Sequence, residues 1–228
     1  MQKYFINQPI SNGEILEKVF LDLYNTKNYK NILFVRTPTT GIFLDKIGIK
    51  DNNITRILYD TKIIPNFDCD DSTIIIDRSD LLNSLNFLNK KYDLICLDPF
   101  HLYEDSIRDM ELLSSFLTDN GVLLCHDCFP TNINLTSPIF IEGNWCGQTY
   151  IAFVELAYKN PNWYYGVLNI DTGIGILSKT YMNGLVNTLN STKQQLLLDI
   201  LINNLSNDLL YNYYCENSTD LINLIHKK

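Results

Sequence analysis

The chain has 228 residues, 46% of them hydrophobic and 12% aromatic, which is enough apolar material for one α/β domain with a sizeable core and too much for a disordered segment. A formal net charge of −8 with no basic stripe argues against nucleic acid as a partner. No run approaches the ~20 apolar residues of a membrane helix, and the start MQKYFINQPISNGE lacks the apolar core of a signal peptide; the expectation is a cytoplasmic protein whose six cysteines are free thiols.

Residues 1–30 read as a helical lead-in: Ser11 is a plausible N-cap with Glu14 three residues on, and Ile15, Val19, Phe20 and Leu23 form one helical stripe. Residues 31–180 read as the sheet core. Asn31–Val35 is its first strand, and Arg36-Thr37-Pro38-Thr39-Thr40-Gly41 leads into a short helix ending near Gly48. Ile54–Tyr59 is a second strand stopping at Asp60; Thr73–Ile76 is a third, followed by Asp77-Arg78-Ser79-Asp80 and a helix over Leu81–Leu88. Tyr92–Leu97 is a short apolar run ending at Asp98, as suits a strand buried on both faces. An amphipathic pattern over Glu104–Leu117 follows, then Asp119-Asn120-Gly121 as a helix stop with glycine available for positive φ, then the buried run Val122–Cys125 ending at His126-Asp127. After a long loop, 129–144, come a helix over Gln148–Tyr158 and two strands, Trp163–Ile170 and Ile174–Ser178, joined through Asp171-Thr172-Gly173 as an antiparallel hairpin. Residues 181–228 are a helical tail, with helices around Leu196–Leu210 and Thr219–Ile225. The whole, 1–228, is expected to be a single α/β domain: a Rossmann-like, mostly parallel sheet with helices on both faces and a C-terminal antiparallel hairpin.

That plan puts Asp98, His101, Glu104, His126 and Asp127 along the edge where open α/β sheets bind ligands. Aspartates at the tips of adjacent strands can share a divalent cation such as Mg²⁺ or orient a substrate hydroxyl, and a histidine beside them can take a proton. The competing reading is that each aspartate merely ends its strand. Cys125 and Cys128 bracket the pair as CHDC, and core packing is favoured there over zinc. Backbone amides of the Arg36–Gly41 loop can hold an anion or carboxylate, and Asp60 can meet ribose hydroxyls.

The segment YDLICLDPFHLYEDSIRDMELLSSFLTDNGVLLCHDCFPTN resembles the second half of a class I S-adenosylmethionine-dependent methyltransferase domain. More narrowly it resembles the sugar and small-molecule O-methyltransferases in which an aspartate ends the fourth strand and a His-Asp pair ends the fifth; NWCGQTYIAFVEL and NIDTGIGIL continue the likeness. The resemblance implies a methyl donor held by Arg36, Thr37, Gly41, Asp60, Ser79, Asp80 and Asp98, with Asp60 at its ribose, Ser79 and Asp80 at its adenine and Asp98 near the methyl group. It also implies His101 or His126 as base, Asp98 and Asp127 as acceptor-orienting groups and ligands of a divalent cation, and a sugar or glycan precursor as acceptor, with homo-oligomerisation left open. The sequence departs from the family at FVRTPTTG, which has a single glycine, and at Cys128, where some metal-dependent members have Asn or Asp. The alternative is a non-catalytic binding or assembly module on the same fold. Asp127→Asn is expected to lower turnover and leave stability nearly unchanged.

Overall fold

The computed structural model describes residues 15–27, 29–36, 54–59 and 73–226. In chain order they form α1 (Ile15–Lys27), β1 (Ile32–Arg36), β2 (Ile54–Tyr59), β3 (Thr73–Ile76), a 3-10 turn at Arg78–Asp80, α2 (Leu81–Leu88), β4 (Tyr92–Asp98), α3 (Tyr103–Ser115) and β5 (Leu117–Cys125). A long loop with a second 3-10 turn at Ile133–Leu135 leads to α4 (Thr149–Lys159), β6 (Tyr164–Leu168), β7 (Ile174–Ser178), α5 (Ser191–Ile202), α6 (Asn207–Ile222) and β8 (Leu224–Ile225). The described strands make one sheet in the order β3-β2-β1-β4-β5-β7-β6-β8. β1 to β5 are mutually parallel, β7 runs antiparallel between β5 and β6, and β8 lies parallel to β6. This is the expected Rossmann-like sheet. Its order reverses between β1 and β4, the crevice where such sheets bind ligands.

Alternation along the strands sorts the core onto two faces. Leu33, Val35, Ile95, Leu97, Leu123 and Cys125 pack with residues of α2 to α6, whereas Ile32, Phe34, Leu94, Cys96, Val122 and Leu124 pack with Leu16, Val19, Phe20 and Leu23 of α1. The continuous apolar run of β4 is thereby explained, because both its faces are covered. Full burial of each such side chain contributes about 1.5–3 kcal/mol. Among the described residues no helix is long and apolar enough to cross a membrane.

Two expectations need correcting. Asp119-Asn120-Gly121 is not a helix stop: α3 ends at Ser115, and all three residues lie inside β5. Gly121 is not among the positive-φ glycines; a Cβ there would lie 2.9 Å from the Tyr92 carbonyl, so close approach of the backbone is what a side chain would disturb. The β4–β5 register shifts at this point, between Tyr92 and Leu94. In the tail, the helices are displaced from the expected spans because polar caps set their starts. The Asn190 side chain accepts from Lys193 N–H at 3.1 Å, and Ser206 Oγ accepts from Leu209 N–H at 3.2 Å. The second helix is then capped by Asn223, in left-handed conformation, and Leu224 and Ile225 join the sheet as β8.

Candidate active site

Asp98 is the last residue of β4, and His126-Asp127 follow β5, its parallel neighbour. The backbone beyond β4 then turns through Pro99 and Phe100 to His101, whose φ of 51° carries its ring back over the strand end. Asp127, at φ 59°, is turned in the same sense. His101 Nε2 stands 3.2 Å from Asp98 Oδ1 and 2.9 Å from Asp127 Oδ2. His126 Nδ1 lies 3.5 Å from Asp98 Oδ1 and 3.4 Å from Asp127 Oδ2, with its Nε2 facing Asp171 Oδ2 at 3.3 Å. Four of the expected residues thus form one cluster of two carboxylates and two imidazoles.

Burial alone would favour the neutral form of every member, but mutual charge reverses this. For Asp98, burial pushes the carboxyl up, and hydrogen bonds from His101 and His126 together with their charge hold it below the usual carboxylate range. Asp127 behaves alike, the charges of His126 and His101 overcoming its burial. Burial pulls His101 down, yet Asp127 and then Asp98 raise it to about 9, and His126 is raised well above its ordinary value, with Asp127 the strongest opponent of burial. The two carboxylates thus favour the imidazolium form of both rings in the resting site. Asp98 Oδ2 is buried without a hydrogen-bond partner.

The surroundings were largely hidden in the sequence. The ring of Trp145 stands edge-on to His101 with centroids 5.5 Å apart, and its indole N–H donates to the Ser137 carbonyl at 2.8 Å. Phe100 packs against Trp145 at 5.9 Å and lies under the Arg78 guanidinium at 3.7 Å, while Arg78 also pairs with Asp105 at 2.6 Å. Gly147 packs on the His101 backbone, where any Cβ would come closer than 3.0 Å to the His101 carbonyl, and its φ of 54° is itself unfavourable for a side chain. Gly147→Ala is therefore expected to displace His101 and lower the melting temperature by several degrees, as measured by calorimetry; an unchanged melting curve would show that the turn yields freely.

The remaining expected residues fare differently. Arg36 ends β1 and is in register with Asp98. Ser79 donates through both N–H and Oγ to Asp77 Oδ1, at 2.9 and 2.7 Å, so Asp77 rather than Asp80 organises the turn after β3. Ser79 and Asp80 are exposed. Thr37, Gly41 and Asp60 lie outside the described residues, as do the rest of the Thr37–Gly41 loop and the helix expected near Gly48. Glu104 is exposed on the first turn of α3. Among the described residues the cysteines are free thiols, and Cys96, Cys125, Cys128 and Cys146 are buried; Cys128 Sγ points to the Cys125 and His126 carbonyls, at 3.5 and 3.6 Å. A hollow of about 460 Å³ lined by Lys27, Lys30, Asp93 and Tyr181 opens at the opposite edge of the sheet, near the start of β4, away from this chemistry.

Asp98, His101 and Asp127 can each turn one ligand atom to a common point, these atoms lying within 4.8 Å of one another. The set fits a divalent cation, with the orphaned Asp98 oxygen available to it, although a mixed carboxylate–imidazole shell is less typical of Mg²⁺ than of softer ions.

Residues 54–128, roughly a third of the chain, match the family model described as "Methyltransferase domain". No curated protein is similar to the chain in sequence. Among solved structures, a putative caffeoyl-CoA O-methyltransferase from Staphylococcus aureus superposes with a TM-score of 0.52 at 20% identity, over 75% of this chain and 86% of that one. An SAH-bound methyltransferase from Podospora anserina gives 0.49 at 18% identity, over 72% and 77%. An O-methyltransferase from Bacillus cereus in complex with SAH gives 0.49 at 14%, over 77% and 84%. The fold is that of the Staphylococcus aureus structure, and residues 54–128 carry a methyltransferase-domain pattern.

Proposed function

We propose that this chain transfers a methyl group from S-adenosylmethionine to a hydroxyl oxygen of a small acceptor in the cytoplasm, and that the acceptor is a sugar or other glycan precursor. The observation that carries the reading is the buried carboxylate–imidazole cluster at the β4 and β5 tips, inside the segment with methyltransferase pattern. The donor, when bound, supplies an electrophilic methyl carbon on a sulfonium. Asp98, ionised and with one oxygen unpartnered, favours positive charge at that edge. Asp127 orients the acceptor hydroxyl, converging carboxylates being suited to the vicinal hydroxyls of a sugar. His101, in its neutral form, takes the hydroxyl proton, while in the same displacement the oxygen–carbon bond would form, the donor's sulfur–carbon bond would break and a neutral thioether would leave. Trp145 and Phe100 shield the ring from water. A divalent cation held by Asp98 and Asp127 would add charge stabilisation for the developing alkoxide and leave His101 free as the base.

Calorimetric titration with S-adenosylhomocysteine, with and without magnesium, tests the donor site. Measurable binding is expected, weakened about tenfold or more by Asp98→Asn. Absence of heat and of any thermal shift at millimolar ligand would leave the non-catalytic module standing. Methyl transfer to a panel of nucleotide sugars, against non-sugar alcohols and phenols, tests the acceptor class.

A further inference from the structure

We propose that Asp171, in the turn between β6 and β7, is a positioning residue that fixes the ring of His126 in the active site. Its Oδ2 is 3.3 Å from His126 Nε2, and Thr172 Oγ1 is 3.4 Å from the same nitrogen. With Nε2 occupied in this way, Nδ1 is left facing Asp98 and Asp127, at 3.5 and 3.4 Å. A ring free to rotate would present either nitrogen, or neither, to the carboxylates.

The backbone is built to deliver this contact. Cys128 N–H donates to the Gly173 carbonyl at 3.0 Å and Phe129 N–H to the Thr172 carbonyl at 2.7 Å, which bolts the hairpin turn to the segment just beyond His126-Asp127. Gly173, at φ 87°, lies so close to Phe129 that a Cβ would come within 3.0 Å of its amide nitrogen. Asp171 itself sits at φ 44°. Of the described non-glycine residues with positive φ, Asn89, Asn204 and Asn223 are asparagines at or just beyond helix ends, where that conformation is common. The other three are His101, Asp127 and Asp171, and all three meet at the cluster. Left-handed backbone concentrated at one cluster, on His101 and Asp127, whose side chains touch, and on Asp171, which reaches the cluster through His126, is what a pre-organised site requires.

The catalytic consequence rests on the methyl-transfer reading, whereas the geometry can be tested apart from it. Asp171→Gly removes the carboxylate at a position whose φ suits glycine, so the fold is expected to persist with a melting temperature at or near that of the parent. The chain has three histidines, so the ring signals are assignable by substitution. Proton NMR of the parent is expected to show a slowly exchanging, downfield Nε2–H of His126, lost in Asp171→Gly and retained in Asp171→Asn, which keeps an acceptor oxygen. With an active acceptor in hand, kcat is expected to fall about 10- to 100-fold in Asp171→Gly with acceptor KM within about twofold, and to recover substantially in Asp171→Asn. Absence of the signal from the parent, its survival in Asp171→Gly, or loss of the signal with kcat unchanged would each overturn the proposal. A parent inactive on every acceptor would defeat the methyl-transfer reading alone, and the NMR comparison would still decide the role of Asp171.

Discussion

Asp127→Asn is expected to lower methyl transfer by about 100-fold, on the scale that a misplacement of about 1 Å can cost, and to lower the melting temperature as well. The second half of this expectation differs from what the sequence suggested. An aspartate ending a strand at an open edge looks dispensable for folding, but here the side chain is buried and paired with both imidazoles. Asparagine tolerates the left-handed backbone at this position, so the cost arises from the lost charge. Removing one partner from a buried pair costs on the order of 3 kcal/mol, limited here because His101 and His126 can shed protons. For a domain of this size that corresponds to roughly 5–10 °C. Calorimetry and an initial-rate assay on the same preparation decide: an unchanged melting temperature would dismiss the buried ion pair, and unchanged turnover would remove Asp127 from the chemistry.

Stability and activity are expected to respond to pH in opposite directions. The His101 pKa is raised from its ordinary 6.5 to about 9, so the native state binds this proton more tightly than the unfolded chain does. The resulting stability is fully present below about pH 6.5 and is lost as pH rises through about 9. A shift of this size corresponds to about 3 kcal/mol, shared among the members of the cluster rather than owned by one ring. Asp98 and Asp127 act with the other sign: their depressed pKa values contribute stability above the ordinary carboxylate range, lost as pH falls below it. The melting temperature is therefore expected to plateau between about pH 4 and 6.5 and to decline by several degrees towards pH 9. Turnover, which needs His101 neutral, is expected to rise over that same upper interval, with an apparent pKa near 9 instead of the 6.5 of an isolated imidazole. His101→Gln should lessen the decline of the stability curve towards pH 9, leaving the part that His126 contributes, and abolish the rise in rate. A rate profile with its midpoint near 6.5 would show that His101 is not the base.

Most of the sheet and the four residues of the cluster were legible in the residue pattern. The runs Ile54–Tyr59 and Thr73–Ile76 coincide with β2 and β3, and those over Tyr92–Leu97 and Ile174–Ser178 with β4 and β7 to within a residue. Period-two and continuous apolar patterns report burial directly, and burial is what forms a strand. Asp98, His101, His126 and Asp127 were legible because strand-end residues in a parallel sheet must share an edge. Helix boundaries in the tail and the stop at Asp119-Asn120-Gly121 were less so, since short polar motifs serve a cap, a turn or an irregular strand equally well until their neighbours are known. The charge balance of the cluster was not legible, because an imidazole favours its neutral or its cationic form according to which carboxylate lies within about 3 Å of it. Only the fold, likewise, brought Asp171 to His126, 45 residues away along the chain, and Gly147 to the His101 carbonyl. Those contacts depend on how a hairpin and a loop pack against the sheet edge, and packing across such separations leaves no periodic trace in the sequence.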